Sequence, residues 1–588
     1  MRRRTFESIR WRACVAIQPI AFTRLGAYII AFGCFVFVRA DRLVAQPSHV
    51  TLTVISTNDV HGRLWQLPLF GGYVRNVRAA RSADGGGVLL LDAGDIFQGT
   101  LESNRTEGAA MIRGYAALGY TAAALGNHEF DFGPVGPHTV PLSTREDPLG
   151  ALKARLAQAP FPVLNANLRA RDGRPAPIPK LRASTMVTVA SVKVGIVGGV
   201  TRDVLTTTHT DNTRALRVLS LPASIEREAR ALRRAGARVV IAVVHAGGDC
   251  QDASDPDDLA SCDPDAEAFE LARALPAGLV DLILGGHTHA QLAHRVHGIP
   301  LIEAYANGRA FGRADLIVPT DPRLPISHRL YPPHLLCEDN LQLESCTHEV
   351  YEGAPVSRDG HVLTAIVDDL VRASTERNQL LGVEVTSRLE RASKHESALN
   401  NLVSDLMLRA SRGADAAFSN AGGVRISLPM GPLTYGTIYE LFPFDNVFAT
   451  LRITAGELAH IIATNLAADS GILSLAGLHA EARCAGGELV VQLSTPDGQP
   501  VPAERQLTVV TSDFIARQGD GMLRGLTLGK RVTIARERSI RDALVAGLRA
   551  LPGGRLDGND RSLYDPDRLR IRYPGSRPVS CRGTPDNR

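Results

Sequence analysis

The chain has 588 residues, with 65 Lys plus Arg against 61 Asp plus Glu, a formal net charge of +4, and 44% hydrophobic and 21% charged residues. That composition excludes a collagen, a coiled coil and a wholly disordered chain. At about 100 to 200 residues per domain, the length accommodates two large domains or three to four small ones, each able to bury its own core.

In chain order the charge comes first. Residues 1–45 hold Arg2, Arg3, Arg4, Arg10, Arg12, Arg24, Arg39 and Arg42 against Glu7 and Asp41, a local excess of six that leaves the remainder near −2. An apolar run, Leu25 to Val38 (LGAYIIAFGCFVFV), follows the basic stretch, and small residues gather near Ala45. This layout predicts a secretory signal over 1–45; its run is short for a membrane span. Leu43 fits the small-residue rule poorly, so an uncleaved signal anchor stays open as an alternative. The expected destination is periplasmic or extracellular, with no stable membrane span after cleavage. Elsewhere the arginines are scattered rather than set in a stripe, which argues against a nucleic-acid polymer as partner. Nothing in the pattern fixes an oligomeric state.

Within 46–345, VTLTVIS, GVLLLDAG, YTAAALG, VKVGIVGG, ARVVIAVVHAGG and LVDLILGG alternate with helix-like stretches. Each reads as a buried strand running into a loop, the pattern of a layered α/β domain. From Pro319 to Pro355 the Pro-rich text reads as a connector. Residues 346–380 supply a linker with a helix from about Gly360 to Leu380, 381–575 form a second domain, and 576–588 a tail. Six cysteines lie beyond the leader, an even count that points to disulfides in an exported chain. Spacing favours Cys250 with Cys262 and Cys337 with Cys346, leaving Cys484 with Cys581, one choice among 15 connectivities.

Most of the strong strands of the first domain end in metal-binding residues: Asp59 and His61 (STNDVHG), Asp95 (LDAGD), Asn127 (LGNHEFD), His245 (VVHAGG), and His287 and His289 (LGGHTH). Ligands in open α/β sheets gather at the carboxyl ends of strands. Four His, two Asp and one Asn suit Zn, Mn, Fe or Co rather than Ca or Mg. Seven donors exceed the needs of one tetrahedral ion, and two ions about 3.5 to 4 Å apart clamp the attacking and leaving oxygens of a phosphoryl displacement. Each piece alone is ordinary, since a strand-terminal Asp is usually a helix cap and a lone His usually core or surface; all five segments in this order are not. His209, His294 and His297 read as surface residues, and the acidic loop Asp249 to Asp265 as a solvated loop stapled by its two cysteines.

DVH, GD, GNHEFD, H and GHTH in this order resemble the metallophosphatase signature. SNAGGVR (Ser419 to Arg425), LFPFDN (Leu441 to Asn446) and FIARQGDGM (Phe514 to Met522) are similar to C-terminal motifs of the secreted 5'-nucleotidase family, which includes UDP-sugar hydrolases and ecto-5'-nucleotidases. The resemblance spans roughly residues 50 to 575. It implies a four-layer αββα metallophosphatase domain joined by a helical linker to a second α/β (α+β) nucleoside-binding domain, with two divalent metal ions (Zn, Mn or Co). Asp59, His61, Asp95 and His289 would hold one ion and Asp95, Asn127, His245 and His287 the other. His128 matches the catalytic histidine and Asp131 the carboxylate that orients it. Phe444 and Phe514 match the pair that sandwiches the base, Asp520 the ribose carboxylate, and Asn420 and Arg425 polar contacts to base or phosphate.

The implied reaction is in-line attack of a metal-bound hydroxide on a nucleotide phosphate, with domain closure in each cycle. Departures fall on the nucleoside side: Lys394 and His395 before Glu396, Asn400 for a glycine, Arg517 and Gln518 where a small residue and glycine are usual, Met522 for an aromatic, and Asp445 for the glycine after Phe444. The leading expectation is therefore an exported 5'-nucleotidase, acting also on UDP-sugars. Its rivals are a 2',3'-cyclic phosphodiesterase with 3'-nucleotidase activity, a thiosulfohydrolase of sulfur oxidation, and a non-enzymatic nucleotide-binding surface protein. The complete ligand set counts against the last.

Overall fold

Runs of Val, Ile and Leu alternate between two hydrophobic layers in the computed structural model of the protein, which describes residues 48–337 and 349–581. The strand His49–Thr57 pairs in parallel with Gly87–Asp92 and antiparallel with Ala310–Pro319 inside a seven-stranded sheet. A second sheet of six strands is built around Val192–Val200, Val239–His245 and Leu282–Leu284, all parallel. Period-two alternation divides the side chains. Leu89, Leu91, Ala122 and Ala124 of the first sheet and Val194, Ile196, Val239, Ile241 and Val243 of the second share one core between the sheets. Leu90 and Ala123 face outward into a core with helices Leu67–Asp84 and Ala109–Leu118. Val197, Val240 and Ala242 face the other way, into a core with Leu221–Arg234 and Glu267–Ala274. The layering is helix, sheet, sheet, helix, as the resemblance implies.

The Pro-rich stretch is not simply a connector. Ser327–Leu335 forms a strand at the edge of the seven-stranded sheet, antiparallel to Ala310–Pro319, with a register shift opposite Pro332 and Pro333. Proline supplies no ladder N–H, so an edge with a bulge is where a sheet tolerates it. His294 is likewise not a surface residue: it is buried in the strand Gln291–Val296, on the face that carries Leu292 and Val296.

Helix Gly360–Arg377 begins at Asp359, whose carboxylate accepts the His361 and Val362 N–H groups. Val362, Ile366 and Leu370 enter the first half's outer core, so this helix is docked rather than a free tether. Truncating the fully buried Ile366 to Ala costs ~2–5 kcal/mol on that basis. Beyond it, a five-stranded sheet ordered Leu473–Ala476, Ala416–Asn420, Gln506–Ser512, Val447–Thr454, Val532–Ser539 is flanked by helices Ala398–Ala410 and Ala455–Ala467. Disulfides join Cys250 to Cys262 and Cys484 to Cys581. The expected leader and the Cys337–Cys346 bond involve residues outside those described. Among the described residues, no helix is long and apolar enough to cross a membrane.

Candidate active site

Strand ends put the donors in place. Asp59 and His61 follow the strand ending at Thr57, Asp95 the one ending at Asp92, Asn127 and His128 the one ending at Ala124, and His287 and His289 the one ending at Leu284, while His245 is itself the last residue of its strand. Five of these residues sit in left-handed backbone: Asp59 (φ 50°), His61 (51°), Asp95 (59°), His287 (82°) and His289 (59°). Such a conformation costs an L-residue roughly 1–2 kcal/mol. Cross-loop hydrogen bonds impose it, with Asp59 N–H donating to Gly94 O at 2.9 Å and His61 N–H to Asp95 O at 3.0 Å. Gly126 permits the closest approach, because a Cβ there would lie 2.2 Å from Asp95 Oδ1.

The donors form two groups. Asp59, His61 and His289 offer atoms within 4.8 Å of one another, and so do Asp95, His245 and His287. Asn127 Oδ1 joins the second group, 3.0 Å from both His245 Nε2 and His287 Nδ1. Asp95 Oδ2 lies 3.1 Å from His245 Nε2 and 3.9 Å from His61 Nε2, so it faces both groups.

The donor chemistry fits divalent cations. His61 Nδ1 lies 2.8 Å from Gln98 O and His245 Nδ1 2.9 Å from Ala93 O. A carbonyl accepts only from N–H, so each ring is held by Nδ1 and turns Nε2 inward; burial disfavours a charged His245, but Asp95 beside it outweighs burial and raises its pKa to about 10. His61 Nε2 meets His289 Nε2 at 3.1 Å, and the fully buried Asp59 Oδ1 has no hydrogen-bond partner. Burial opposes ionisation of Asp59 and Asp95, but His289 beside the first and His245 and His128 beside the second outweigh it and hold both carboxyls well below the usual range. Buried carboxylates and inward-turned ring nitrogens packed this closely call for positive charge, which a divalent cation would supply in place of a proton.

His128 stands apart from the two groups. Its Nδ1 lies 2.6 Å from Asp131 Oδ2, and Thr208 Oγ1 donates to Asp131 Oδ1 at 2.7 Å. Burial disfavours the imidazolium, but the Asp131 and Asp95 carboxylates outweigh it and raise the His128 pKa.

The second half closes over this rim. Asn420, Arg425, Phe444, Phe514 and Asp520 line one cavity with Asp95, Asn127, His128, Asp131, His287 and His289. Asp59, His61 and His245 lie behind that lining and are buried. Arg425 Nη2 is 3.0 Å from His61 Nε2, and its guanidinium is 5.8 Å from the Phe444 ring centre. The Phe444 and His128 rings are 5.6 Å apart. Asn420 Nδ2 donates to Asp520 Oδ2 at 2.6 Å, and burial raises the Asp520 pKa. Gly519 packs under Phe514, where a Cβ would lie 2.5 Å from the ring.

Several further residues complete the site. Glu129 accepts from the N–H groups of Asp95, Ile96, Phe97 and Gly126, tying two donor loops together, and burial pushes its carboxyl up to about 7. Its signal was present, because it sits inside GNHEFD. Glu303 accepts from Thr288 Oγ1, Ala290 N–H and Gly248 N–H, and burial pushes it up to about 8; nothing in IPLIEA marks it. Asn446 and His209 also line the cavity. His209 is 5% exposed, which overturns its reading as a surface residue.

A carboxylate-held imidazole above a rim of cation donors is equipment for moving a phosphoryl group to water. On this αββα layering it makes the chain a metal-dependent phosphoesterase, a hydrolase. Comparison with known proteins agrees, since residues 52–291 match the calcineurin-like phosphoesterase family and residues 373–526 the 5'-nucleotidase C-terminal domain. The chain belongs to the family that joins these two parts. Protein UshA of Yersinia enterocolitica is 26% identical over 506 residues, 80% of this chain and 86% of the relative. The solved 5'-nucleotidase precursor of Thermus thermophilus is 25% identical with a TM-score of 0.65, over 87% of this chain and 100% of that one. The sulfate thiohydrolase SoxB of the same organism shares the fold at 16% identity and a TM-score of 0.65, over 90% of this chain and 97% of that one.

Proposed function

We propose that the protein is an exported nucleotidase that removes the 5'-phosphate from nucleoside monophosphates, with UDP-sugars as a further substrate class. Two divalent cations, Zn, Mn or Co, would sit in the two donor groups: one on Asp59, His61, Asp95 and His289, the other on Asp95, Asn127, His245 and His287. The observation that carries the substrate reading is the shared cavity, in which Phe444 and Phe514 of the second half face Asn127 and His128 of the first. Aromatic rings across from a phosphoryl-handling rim suit a ligand with a flat base at one end and a phosphate at the other.

Bound there, the cations would supply Lewis-acid charge and bring the pKa of a water towards about 7. The chain's own residues do the rest. His128 donates its Nδ1–H in a hydrogen bond to Asp131, which fixes the ring and leaves Nε2–H to donate to a phosphoryl oxygen as charge grows there. Arg425 adds a fixed positive charge at the same end. Asp520, oriented by Asn420, offers its carboxylate to ribose hydroxyls, and Phe444 and Phe514 stack on the base. With the phosphate and base sites on different halves, closure and reopening would accompany each turnover. The Cys250–Cys262 and Cys484–Cys581 bonds support export, since disulfides persist in oxidising compartments.

The test is a substrate profile of the purified chain with Mn²⁺, Co²⁺ or Zn²⁺ on AMP, 3'-AMP, cyclic 2',3'-AMP and UDP-glucose. AMP is expected to be cleaved fastest and chelation to abolish turnover. Preference for the 3'- or cyclic phosphate would overturn the reading.

A further inference from the structure

We propose that His209 is a specificity-determining residue that reads the polar edge of the substrate's base, an assignment that rests on the nucleotidase reading above. Residues 206–211 form a strap between the two halves of the site, each neighbour of His209 fastened to one side or the other. On the second half, Thr206 O accepts the Asp520 N–H at 3.0 Å, Thr210 Oγ1 donates to Arg517 O at 2.9 Å, and Asp211 pairs with the Arg517 guanidinium. On the first, Thr207 O accepts from Asn127 Nδ2 at 3.1 Å and Thr208 Oγ1 holds Asp131. The strap thus touches a cation donor, the partner of His128 and the turn that carries Asp520.

Thr207 and His209 of this strap both line the cavity, and His209 supplies its ring. Its ring meets Phe514 edge-on, with centroids 6.0 Å apart and planes at 83°. Its Nδ1 is buried and has no hydrogen-bond partner. An unpaired buried nitrogen of this kind costs ~1–3 kcal/mol until something pairs with it. The phosphate end of the cavity is taken by the donor rim and His128, whereas His209 stands at Phe514, so the group that meets the imidazole is the ring stacked there. A neutral imidazole carries one donor and one acceptor nitrogen, and base edges display both kinds of partner. Because the flanking residues already fix the strap's backbone, little ordering is left to oppose the contact.

The experiment compares kcat/KM for AMP with that for ribose 5-phosphate, which keeps the phosphate and sugar but has no base. His209→Ala is expected to lower the AMP to ribose 5-phosphate ratio about fivefold to tenfold, the loss of one hydrogen bond. His209→Asn, whose amide keeps one donor and one acceptor group, should recover part of the ratio. Thr208→Val should slow both substrates together through Asp131 and leave the ratio in place. An unchanged ratio in His209→Ala, with the wild type still favouring AMP, overturns the role of His209 alone. A wild type that cleaves both compounds equally well overturns the nucleotidase reading, and His209's role with it.

Discussion

The donor rim and the base side of the cavity tolerate departure from the family pattern in opposite ways. On the rim all seven donor positions and His128 carry the residues that the resemblance implies, in backbone that the cross-loop bonds over-determine. On the base side the departures are numerous, and most have found local partners. Asp445, in place of a glycine, pairs with Arg541, whose guanidinium also donates to the Phe442 and Phe444 carbonyls. Arg517 pairs with Asp211 across the two halves. Asn400 Nδ2 donates to Ala392 O at 2.7 Å, and Met522 is buried in the second half's core rather than facing the cavity. Lys394 pairs with Asp469 in the open, a contact worth little. A cation needs a fixed number of donors at fixed distances, whereas a stacking surface can be rebuilt around new pairs.

Four changes would break or sharpen this contrast. His128→Asn should have the largest effect, lowering kcat ~10³-fold, within the range for a lost acid or electrostatic group. Bound metal measured by mass spectrometry should stay at the wild-type ratio; a parallel loss of metal would move His128 into the donor set. Replacing both Phe444 and Phe514 with Ala should lower kcat/KM for AMP ~10 to 100-fold, from ~1–3 kcal/mol per stacked base, while p-nitrophenyl phosphate loses far less. Equal losses on both substrates would mean the rings shape the rim rather than hold a base.

Asp131→Asn should lower kcat about tenfold and move the alkaline limb of its pH profile. The Asp131 carboxylate favours the His128 imidazolium, so removing it lowers the pKa at which His128 loses its proton, and the limb shifts to lower pH. A shift to higher pH would assign that limb to another group. Gln518→Gly should have the smallest effect. Gln518 lies at φ 77°, where the family's usual glycine carries no Cβ penalty. The replacement is expected to raise unfolding free energy in urea by about 1 kcal/mol at most; a loss of stability would show that the Gln518 side chain contributes contacts of its own.

The contrast also explains what could be seen in the sequence. Strands such as ARVVIAVVH are legible because burial on both faces leaves an unbroken apolar run, and their terminal Asp, Asn and His residues follow directly. His294 was legible in principle, since Leu292, His294 and Val296 alternate on one face, but its ring chemistry outweighed the period. Ser327–Leu335 was hidden because its prolines imitate a connector, and only pairing with Ala310–Pro319 makes it a strand. His209 was hidden for another reason: TTTHTD has no apolar period, and its burial comes from the second half of the chain, some 300 residues further on. Glu303 is fixed wholly by what surrounds it in space.

The left-handed turns at five donors leave the rim under tension. Each is tolerable alone; together they subtract several kcal/mol from a fold whose net margin is ~5–15 kcal/mol. A cation that binds only the folded chain returns that energy in proportion to its free concentration. Metal supply in the compartment where the chain folds would then govern how much native protein accumulates as well as how fast each molecule works, so starvation for the ion would be felt first as scarcity of the enzyme.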